Sequence, residues 1–596
     1  MRAALLGAAA LFAGAAPAQI TQSQTVAAEP ARPGSVSISG VEALVIGAPV
    51  LPGTAPRTRE SAVPAPGSGL ALDYRRGEAI DAAFVARQFE RNSLVGRPVE
   101  TAQLIDLVQL INAALLRQGY VNSGLLLDPA SPVADGAPLR LRLVYGRLGS
   151  ADGQVPALAI DWGRGGARGL DQNYVAARLP ATARVPVNAA DIERDFRLLS
   201  EDPSIRAVRA DLRPLGAAGE AQLALSIDTV SPYDLYVTVA NNRTPSVGGE
   251  RAALGGSARS LLFGSDLFAF EVGRTSGVSD AVASYAFPIG TDLRVSVRGG
   301  LNNAAVIDPA LLALDISARD RFVEGGLVYT LFERPLLPAS AAGDWISARA
   351  LTAGATVLHR QTRTFLFGQP FSFTPGSVRG RAEYTALRGS FEFVDRSPSQ
   401  ALTASLVATL GLDGTRSDVP DLPQPPQNFR VVLGQANYAR RLTDGRLELR
   451  ARVTGQWTDK ILYTAERFSI GGSGTVRGYR ENLILADRGV VGSVELAQPF
   501  TLSGRARPTD GVDLGAFTAS VFLDGGWTDN VGPNDPNPRW IAGAGVSLLW
   551  TPADALSARI TYGQALRDAA IVGRRDLQDR GVQFFVTVRP LQLFRR

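Results

Sequence analysis

The chain has 596 residues, a net charge of +5, one histidine and no cysteine. Without cysteine there is no disulfide framework and no thiolate metal site, and a single histidine argues against zinc catalysis and a Ser-His-Asp triad. The small charge gives no support to nucleic-acid binding, and the absence of a long apolar run after the N-terminus excludes a helical membrane protein.

The N-terminal residues 1–18 have the pattern of a secretory signal peptide. Arg2 supplies the positive charge, Leu5 to Phe12 the apolar run, and Ala16 to Ala18 a small-residue cleavage site. Residues 19–69 are rich in proline and small residues, which predicts a linker. Within that segment, Ser35 to Leu44 alternates and is a weak candidate for a strand of the next unit.

Residues 70–148 are predicted to form a first α+β unit. A helix is indicated by apolar residues at spacings of three and four, and Gly119 follows it as a stop. The segment Leu139 to Tyr145 alternates with period two, as a half-buried strand does. The predicted apolar face of the helix consists of Leu104, Leu107, Val108, Ile111 and Leu115.

Residues 149–230 repeat this plan as a second unit. Val155 to Ile160 is a predicted strand, and a helix with Ile192, Phe196 and Leu199 on one face follows. Asn188 stands at the start of that helix, where its side chain is suited to cap the backbone. Two further strands are expected before residue 230.

From residue 231 to 596, short alternating segments recur and are separated by Gly, Pro, Asn and Asp. Their number predicts a transmembrane barrel of about 16 antiparallel strands, the last of them Val582 to Val588. Closure is required because an open strand edge in lipid has unpaired amides. An interfacial aromatic belt is predicted from Trp457, Trp527, Trp540, Trp550, Tyr233, Tyr463 and Tyr562.

A glycine-rich stretch from Phe468 to Arg480 interrupts this strand pattern. A second short motif, Phe522 to Gly526, follows in a predicted strand and carries Asp524. The glycines do not follow a βαβ unit and lack the lysine of a P-loop, so they give little support to a nucleotide site. An isolated Arg-Gly-Tyr is more often a solvated surface turn, and only the surrounding features favour a functional interpretation.

The order of signal peptide, linker, two α+β units and barrel resembles the two-partner secretion transporters, called TpsB. Arg117 to Val121 and Val144 to Leu148 also resemble the family, as do the two motifs above. The resemblance implies that the α+β units are POTRA domains in the periplasm and that the barrel lies in the outer membrane of a Gram-negative bacterium. The family's pore-plugging N-terminal helix has no convincing counterpart in residues 19–69.

The resemblance also implies that the loop folds back into the barrel and latches there. Arg477 is then expected near Asp524, since a guanidinium binds a carboxylate through two hydrogen bonds. The remaining loop residues are Val476, Gly478 and Tyr479. The supporting motif residues are Phe468, Gly471, Gly472, Gly474, Phe522 and Gly526.

The function implied by the resemblance is export of an unfolded TpsA-type protein, a haemolysin or adhesin, through the barrel. The expected partners are that secreted protein and outer-membrane lipids, with no enzyme activity, cofactor, metal, nucleotide or nucleic acid. The main alternative is an assembly factor of the same superfamily that inserts other outer-membrane proteins. A passive porin or receptor and an enzyme barrel are further alternatives, and the enzyme lacks its histidines.

Overall fold

A computed structural model describes residues 35–46, 59–61, 69–75, 78–163, 165–339, 344–374, 376–417, 423–443, 447–503, 513–532, 534–570 and 575–593. The predicted signal peptide at 1–18 and most of the proline-rich segment at 19–69 lie outside these residues. The chain divides into two compact units, Met1–Val230 and Ser231–Arg596.

The first α+β unit packs two helices, Ala82–Arg91 and Thr101–Arg117, onto a three-stranded sheet. Its sheet places Leu139–Val144 between a parallel strand, Val41–Ile46, and an antiparallel strand, Gly124–Leu127. All five residues of the predicted apolar helix face are buried. The sheet therefore begins upstream of the predicted boundary at residue 70. Two smaller antiparallel pairs join Ser35–Ser37 to Pro98–Glu100 and Arg59–Ser61 to Asp73–Arg75.

The second α+β unit has a four-stranded sheet and two α-helices. Asn188 caps the longer helix, because its Oδ1 accepts a hydrogen bond from the backbone N–H of Ala190 at 2.9 Å. The cap prediction is thus confirmed. Its strands are Arg147–Leu148, Leu158–Trp162, Ile205–Pro214 and Glu220–Thr229, its α-helices are Gln172–Ala177 and Ala189–Ser200, and its 3-10 helix is Pro180–Ala183.

Two features qualify the predicted boundaries of these units. The strand Arg147–Leu148 lies within the predicted first unit, which ends at residue 148, but it pairs with the sheet of the second unit. The Nδ2 of Asn188 also donates to the backbone oxygen of Gln118 at 2.9 Å, which ties the capped helix to the end of the preceding unit.

None of the helices among the described residues is long and apolar enough to cross a bilayer.

Sixteen antiparallel strands close into a barrel, which confirms the predicted fold class. The assignment of the two α+β units as POTRA domains stays a prediction. The short segment Gln369–Pro370 adds to the end of one strand. The barrel strands are Tyr233–Ala240, Arg251–Arg259, Leu267–Arg274, Val278–Ile289, Leu293–Ala305, Ser317–Arg334, Ala348–Leu366, Arg381–Arg396, Gln400–Gly414, Arg430–Thr443, Leu447–Trp457, Arg488–Ser503, Asp513–Asp529, Trp540–Ala553, Leu556–Ala565 and Val582–Val588.

The remaining short elements of the barrel unit lie between or after these strands. Two short hairpins pair Leu337–Pro338 with Trp345–Ile346 and Phe468–Ile470 with Ile484–Ala486. The 3-10 helices are Pro245–Val247, Leu312–Leu314, Thr464–Glu466 and Gln578–Arg580, and the helix Pro590–Leu593 follows the last barrel strand.

Alternation along each strand gives the barrel an apolar exterior and a polar interior. In Asp513–Asp529, Val521, Leu523 and Trp527 are exposed outward, whereas Phe522 and Asp524 point inward and are buried. Five of the seven predicted belt aromatics are exposed, and Trp550 is half-buried. The prediction for Tyr463 is wrong, because its ring is buried inside the barrel and stacks on Tyr384 at 4.7 Å.

Candidate functional site: a folded-in loop on the inner barrel wall

The loop between strands Leu447–Trp457 and Arg488–Ser503 starts with a small hairpin. Phe468–Ile470 pairs with Ile484–Ala486, and the motif residue Phe468 is buried there. Gly471 and Gly472 follow with φ angles of +103° and +102°, which side chains other than glycine rarely adopt. This backbone turns the next residues toward the inner barrel wall, where Val476 and Tyr479 are buried.

Arg477 lies against Asp524, as the family resemblance implies. Its Nε is 2.7 Å from Oδ2 and its Nη2 is 2.8 Å from Oδ1, so the two planar groups face each other through two hydrogen bonds. The backbone N–H of Arg477 adds a third hydrogen bond to the same Oδ2 at 3.0 Å. The side chain of Asp524 is completely buried.

Three further groups on the barrel wall surround the Arg477 guanidinium. Its Nη1 donates to Glu495 at 2.7 Å and its Nη2 to the hydroxyl of Ser493 at 3.1 Å. The ring of Phe522 lies beneath it, with the guanidinium carbon 3.4 Å from the ring centroid. One cation therefore neutralises part of the charge of two carboxylates on neighbouring strands.

The backbone of the loop fits closely against the wall because the wall carries glycines there. A Cβ on Gly543 would lie 2.0 Å from the carbonyl oxygen of Arg477, and one on Gly563 would lie 2.5 Å from the nitrogen of Gly478. Gly478 itself has a φ of +97°. Side chains at either wall position would push the loop away.

Tyr479 and Val476 complete the contact of the loop with the wall. The hydroxyl of Tyr479 is 2.9 Å from the carbonyl oxygen of Ala542 and 2.8 Å from that of Arg567. A Cβ on the motif residue Gly526 would lie 3.3 Å from Val476, so this glycine leaves room for the valine. Gly474, in contrast, is exposed in the part of the loop that does not touch the wall.

The sequence did not identify four residues of this site. Glu495, Ser493, Gly543 and Gly563 lie on strands whose register the sequence leaves open. For Ser493 and Glu495, the sequence offers one signal. Alternation along their strand places both side chains on the inward face of the barrel, as it does for Asp524 on the next strand. This signal does not distinguish them from other inward polar residues.

The arrangement provides hydrogen bonds, charge and tight packing rather than reactive groups. The described residues contain no cluster of three His, Cys, Asp or Glu side chains able to hold a metal ion. The geometry holds the loop on this part of the wall through the buried Arg477 cation, the hydroxyl of Tyr479 and close packing against wall glycines.

Comparisons with known proteins find similarity over the part of the chain that holds this site. Residues 347–549, which include the loop and Asp524, match the model of the haemolysin secretion/activation protein family ShlB/FhaC/HecB. The outer membrane transporter CdiB of Escherichia coli O6:K15:H31 (strain 536 / UPEC) is 30% identical over 156 residues. That alignment covers 26% of this chain and 24% of CdiB, so it spans about a quarter of the relative's length.

Solved structures extend the fold likeness to nearly the whole chain. CdiB from Escherichia coli aligns with a TM-score of 0.59 and 19% identity, covering 97% of this chain and 94% of CdiB. CdiB from Acinetobacter baumannii aligns with a TM-score of 0.56 and 16% identity, covering 98% and 96%. These identities establish a shared fold. The family match adds a sequence likeness to ShlB/FhaC/HecB over residues 347–549, the part of the barrel that holds the loop and Asp524.

Proposed function

We propose that this protein exports an unfolded TpsA-type partner, a haemolysin or adhesin, across the outer membrane, and that its α+β units act as periplasmic POTRA domains. The observation that carries the proposal is the folded-in loop, which Arg477 fastens to Asp524 and Glu495 on the inner barrel wall. A loop held on the wall by an ion pair, whose partners an entering chain can replace, is suited to move when that chain enters.

Capture of the partner is proposed to use a free sheet edge in the first α+β unit. The strand Val41–Ile46 pairs with Leu139–Val144 on one side and has no strand partner on its other side among the described residues. Leu44 is 62% exposed, and Ile46 is also exposed. An extended partner segment adds to such an edge through backbone hydrogen bonds, while apolar side chains contact these two residues.

Passage through the barrel is proposed to need no nucleotide. The interior presents charged and hydroxyl side chains, so an unfolded polypeptide finds hydrogen-bond partners along the wall. Folding of the partner outside the cell removes unfolded chain from the equilibrium across the barrel. Export is therefore directional by mass action.

The Arg477 contact is proposed to be the latch that keeps the loop in place in the resting barrel. Removal of one member of a buried ion pair typically destabilises a structure by about 3–5 kcal/mol, because the other charge is left unpaired. An entering chain that offers other partners to Asp524 and Glu495 lowers this penalty. The loop then leaves the wall without unfolding the barrel.

The test is co-expression with a candidate secreted partner encoded beside this chain, followed by measurement of that partner in the medium. Arg477→Ala is expected to reduce export at least tenfold while the barrel stays inserted and heat-modifiable on electrophoresis. Arg298→Ala is the matched control, because it removes an arginine that pairs with Glu324 at 3.1 Å within the barrel wall. That variant is expected to export normally.

Two outcomes would contradict the proposal. Unchanged secretion after deletion of this chain would exclude export, and normal export by Arg477→Ala would exclude the latch. A general loss of other outer-membrane proteins after deletion would instead support an assembly factor.

A further inference from the structure

The barrel closes at a seam between its first strand, Tyr233–Ala240, and its last strand, Val582–Val588. These strands pair at four positions, from Val237 opposite Val588 to Ala240 opposite Phe585. By comparison, the first strand pairs with its other neighbour at eight positions. This is the smallest overlap between adjacent long strands in the described barrel.

Side chains reinforce the seam within its backbone pairing and beyond it. The hydroxyls of Thr238 and Thr587 are 3.0 Å apart. The side-chain amide of Asn241 donates to the oxygen of Val582 at 2.9 Å and accepts from the N–H of Phe584 at 2.7 Å. The end of the seam next to residues 241–250 and 575–581 is thus held by one asparagine.

The folded-in loop reaches this same end of the seam through Arg480. Its Nε and Nη2 donate to the two oxygens of Asp579 at 2.9 and 2.6 Å. Both side chains are nearly buried, and Asp579 lies three residues before the last strand. This contact fastens the folded-in loop to the segment 575–581, which precedes the last strand.

Gln578 joins three loops at one point. Its Oε1 accepts from the backbone N–H of Glu481 at 2.8 Å, and its Nε2 donates to the backbone oxygen of Arg243 at 2.7 Å. Thr244 also donates to the oxygen of Glu481 at 3.2 Å. Since Gln578 is fully buried, loss of either contact leaves an unsatisfied polar atom.

Glycine geometry fixes Glu481 in position for this contact. A Cβ on Gly472 would lie 2.3 Å from the Glu481 carboxyl carbon. The freed space lets that carboxylate accept the N–H of Ser473 at 2.8 Å. The turn that directs Arg477 to the wall therefore also orients Glu481 toward Gln578.

We propose that Arg480, Glu481, Asp579 and Gln578 form a second anchor of the folded-in loop, a seam clasp that braces the closing seam of the barrel. Arg477 fastens the loop to strands Arg488–Ser503 and Asp513–Asp529, whereas the clasp fastens it to the loops on both sides of the seam. Withdrawal of the loop then removes the brace from the weakest strand pair. This inference concerns barrel closure and does not depend on which protein is exported.

The test measures backbone hydrogen exchange of the full-length protein in detergent. Asp579→Ala is expected to speed exchange at least tenfold in Val582–Val588 and Val237 to Ala240, with Leu267–Arg274 unchanged. Arg477→Ala is expected to leave the seam unchanged, because the clasp is intact in that variant. Exchange that rises equally in all strands, or not at all in the seam, would overturn the proposal.

Two further variants keep the test decisive if Asp579→Ala folds poorly. The exchanged pair Arg480→Asp with Asp579→Arg restores the ion pair and is expected to return seam exchange to within threefold of the parent protein. Since the chain has no cysteine, Val239→Cys with Val586→Cys places a disulfide across register partners of the seam. That disulfide is expected to suppress the effect of Asp579→Ala, and failure of both rescues would contradict the clasp.

Discussion

The α+β units and the barrel bury opposite kinds of side chain. In the first α+β unit Leu107 is fully buried, as are the other apolar residues of its helix face. In the barrel Leu523 is 57% exposed, while its neighbour Asp524 is buried. The difference reflects the surroundings of the two regions. Apolar side chains are buried where the surroundings are water, but they can face outward where the surroundings are lipid. Alternation in sequence therefore has opposite meanings in the two regions.

The largest effect is expected from the buried charges of the barrel. Arg477→Ala leaves Asp524 without its paired cation and Glu495 with only a 3.8 Å contact to Arg450, and it is expected to destabilise the barrel by about 3–5 kcal/mol. Asp524→Ala is expected to cost less, because Arg477 keeps its 2.7 Å contact with Glu495. Urea titration of the detergent-solubilised barrel measures both free energies of unfolding.

The double variant Arg477→Ala with Asp524→Ala separates charge from loop packing. It is expected to be less destabilised than the sum of the two single variants, since no carboxylate remains at position 524 to lack a partner. Additive losses would indicate that the two residues act independently.

A leucine-to-alanine pair tests the inversion of burial directly. Leu107→Ala opens a cavity in a packed core and is expected to cost about 2–5 kcal/mol. Leu523→Ala is expected to cost far less, because lipid fills the space on the outer wall. Urea unfolding of the full-length protein compares the free energies of unfolding of the two variants. The helical circular dichroism signal follows the first variant, and heat-modifiability follows the second. Equal losses would contradict the assigned surroundings.

Alanine substitutions of glycines on the inner and outer faces of the barrel wall are expected to differ by a smaller free energy, in an effect confined to the loop. Gly543→Ala places a methyl group 2.0 Å from the Arg477 carbonyl oxygen and is expected to displace the loop at a cost of about 1–3 kcal/mol. Gly525→Ala on the outer face is the control, because nothing lies within 4 Å of its Cβ. Labelling by maleimide of a cysteine at Val476, which is fully buried in the seated loop, reports loop exposure. It is expected to rise in the first variant alone.

Local patterns predicted the elements of both regions better than the contacts between them. Helix periodicity and the Asn188 cap are signals within a few residues, and alternation gave Val582–Val588 as the last barrel strand, which the structure confirms. The resemblance to a known family, rather than a local pattern, gave Arg477 and Asp524 as neighbours. Gly543 and Gly563 were missed because only strand register brings them to the loop. Tyr463 was misplaced because its position near a strand end does not decide which side of the wall it faces.

The smallest expected effect lies in the first α+β unit, at Tyr145. Its hydroxyl donates to the oxygen of Ile80 at 3.1 Å, and burial, with the nearby charge of Asp81, raises the pKa of this phenol. Because the folded-state pKa of Tyr145 lies above its ordinary value, the protonated phenol contributes fully to the free energy of unfolding below about pH 10. That contribution is lost as the pH rises through the folded-state pKa. Tyr145→Phe is therefore expected to cost about 0.5–1.5 kcal/mol at pH 8 and less at pH 11. Urea unfolding followed by the helical circular dichroism signal at both pH values measures this difference, and a loss independent of pH would assign the effect to packing instead.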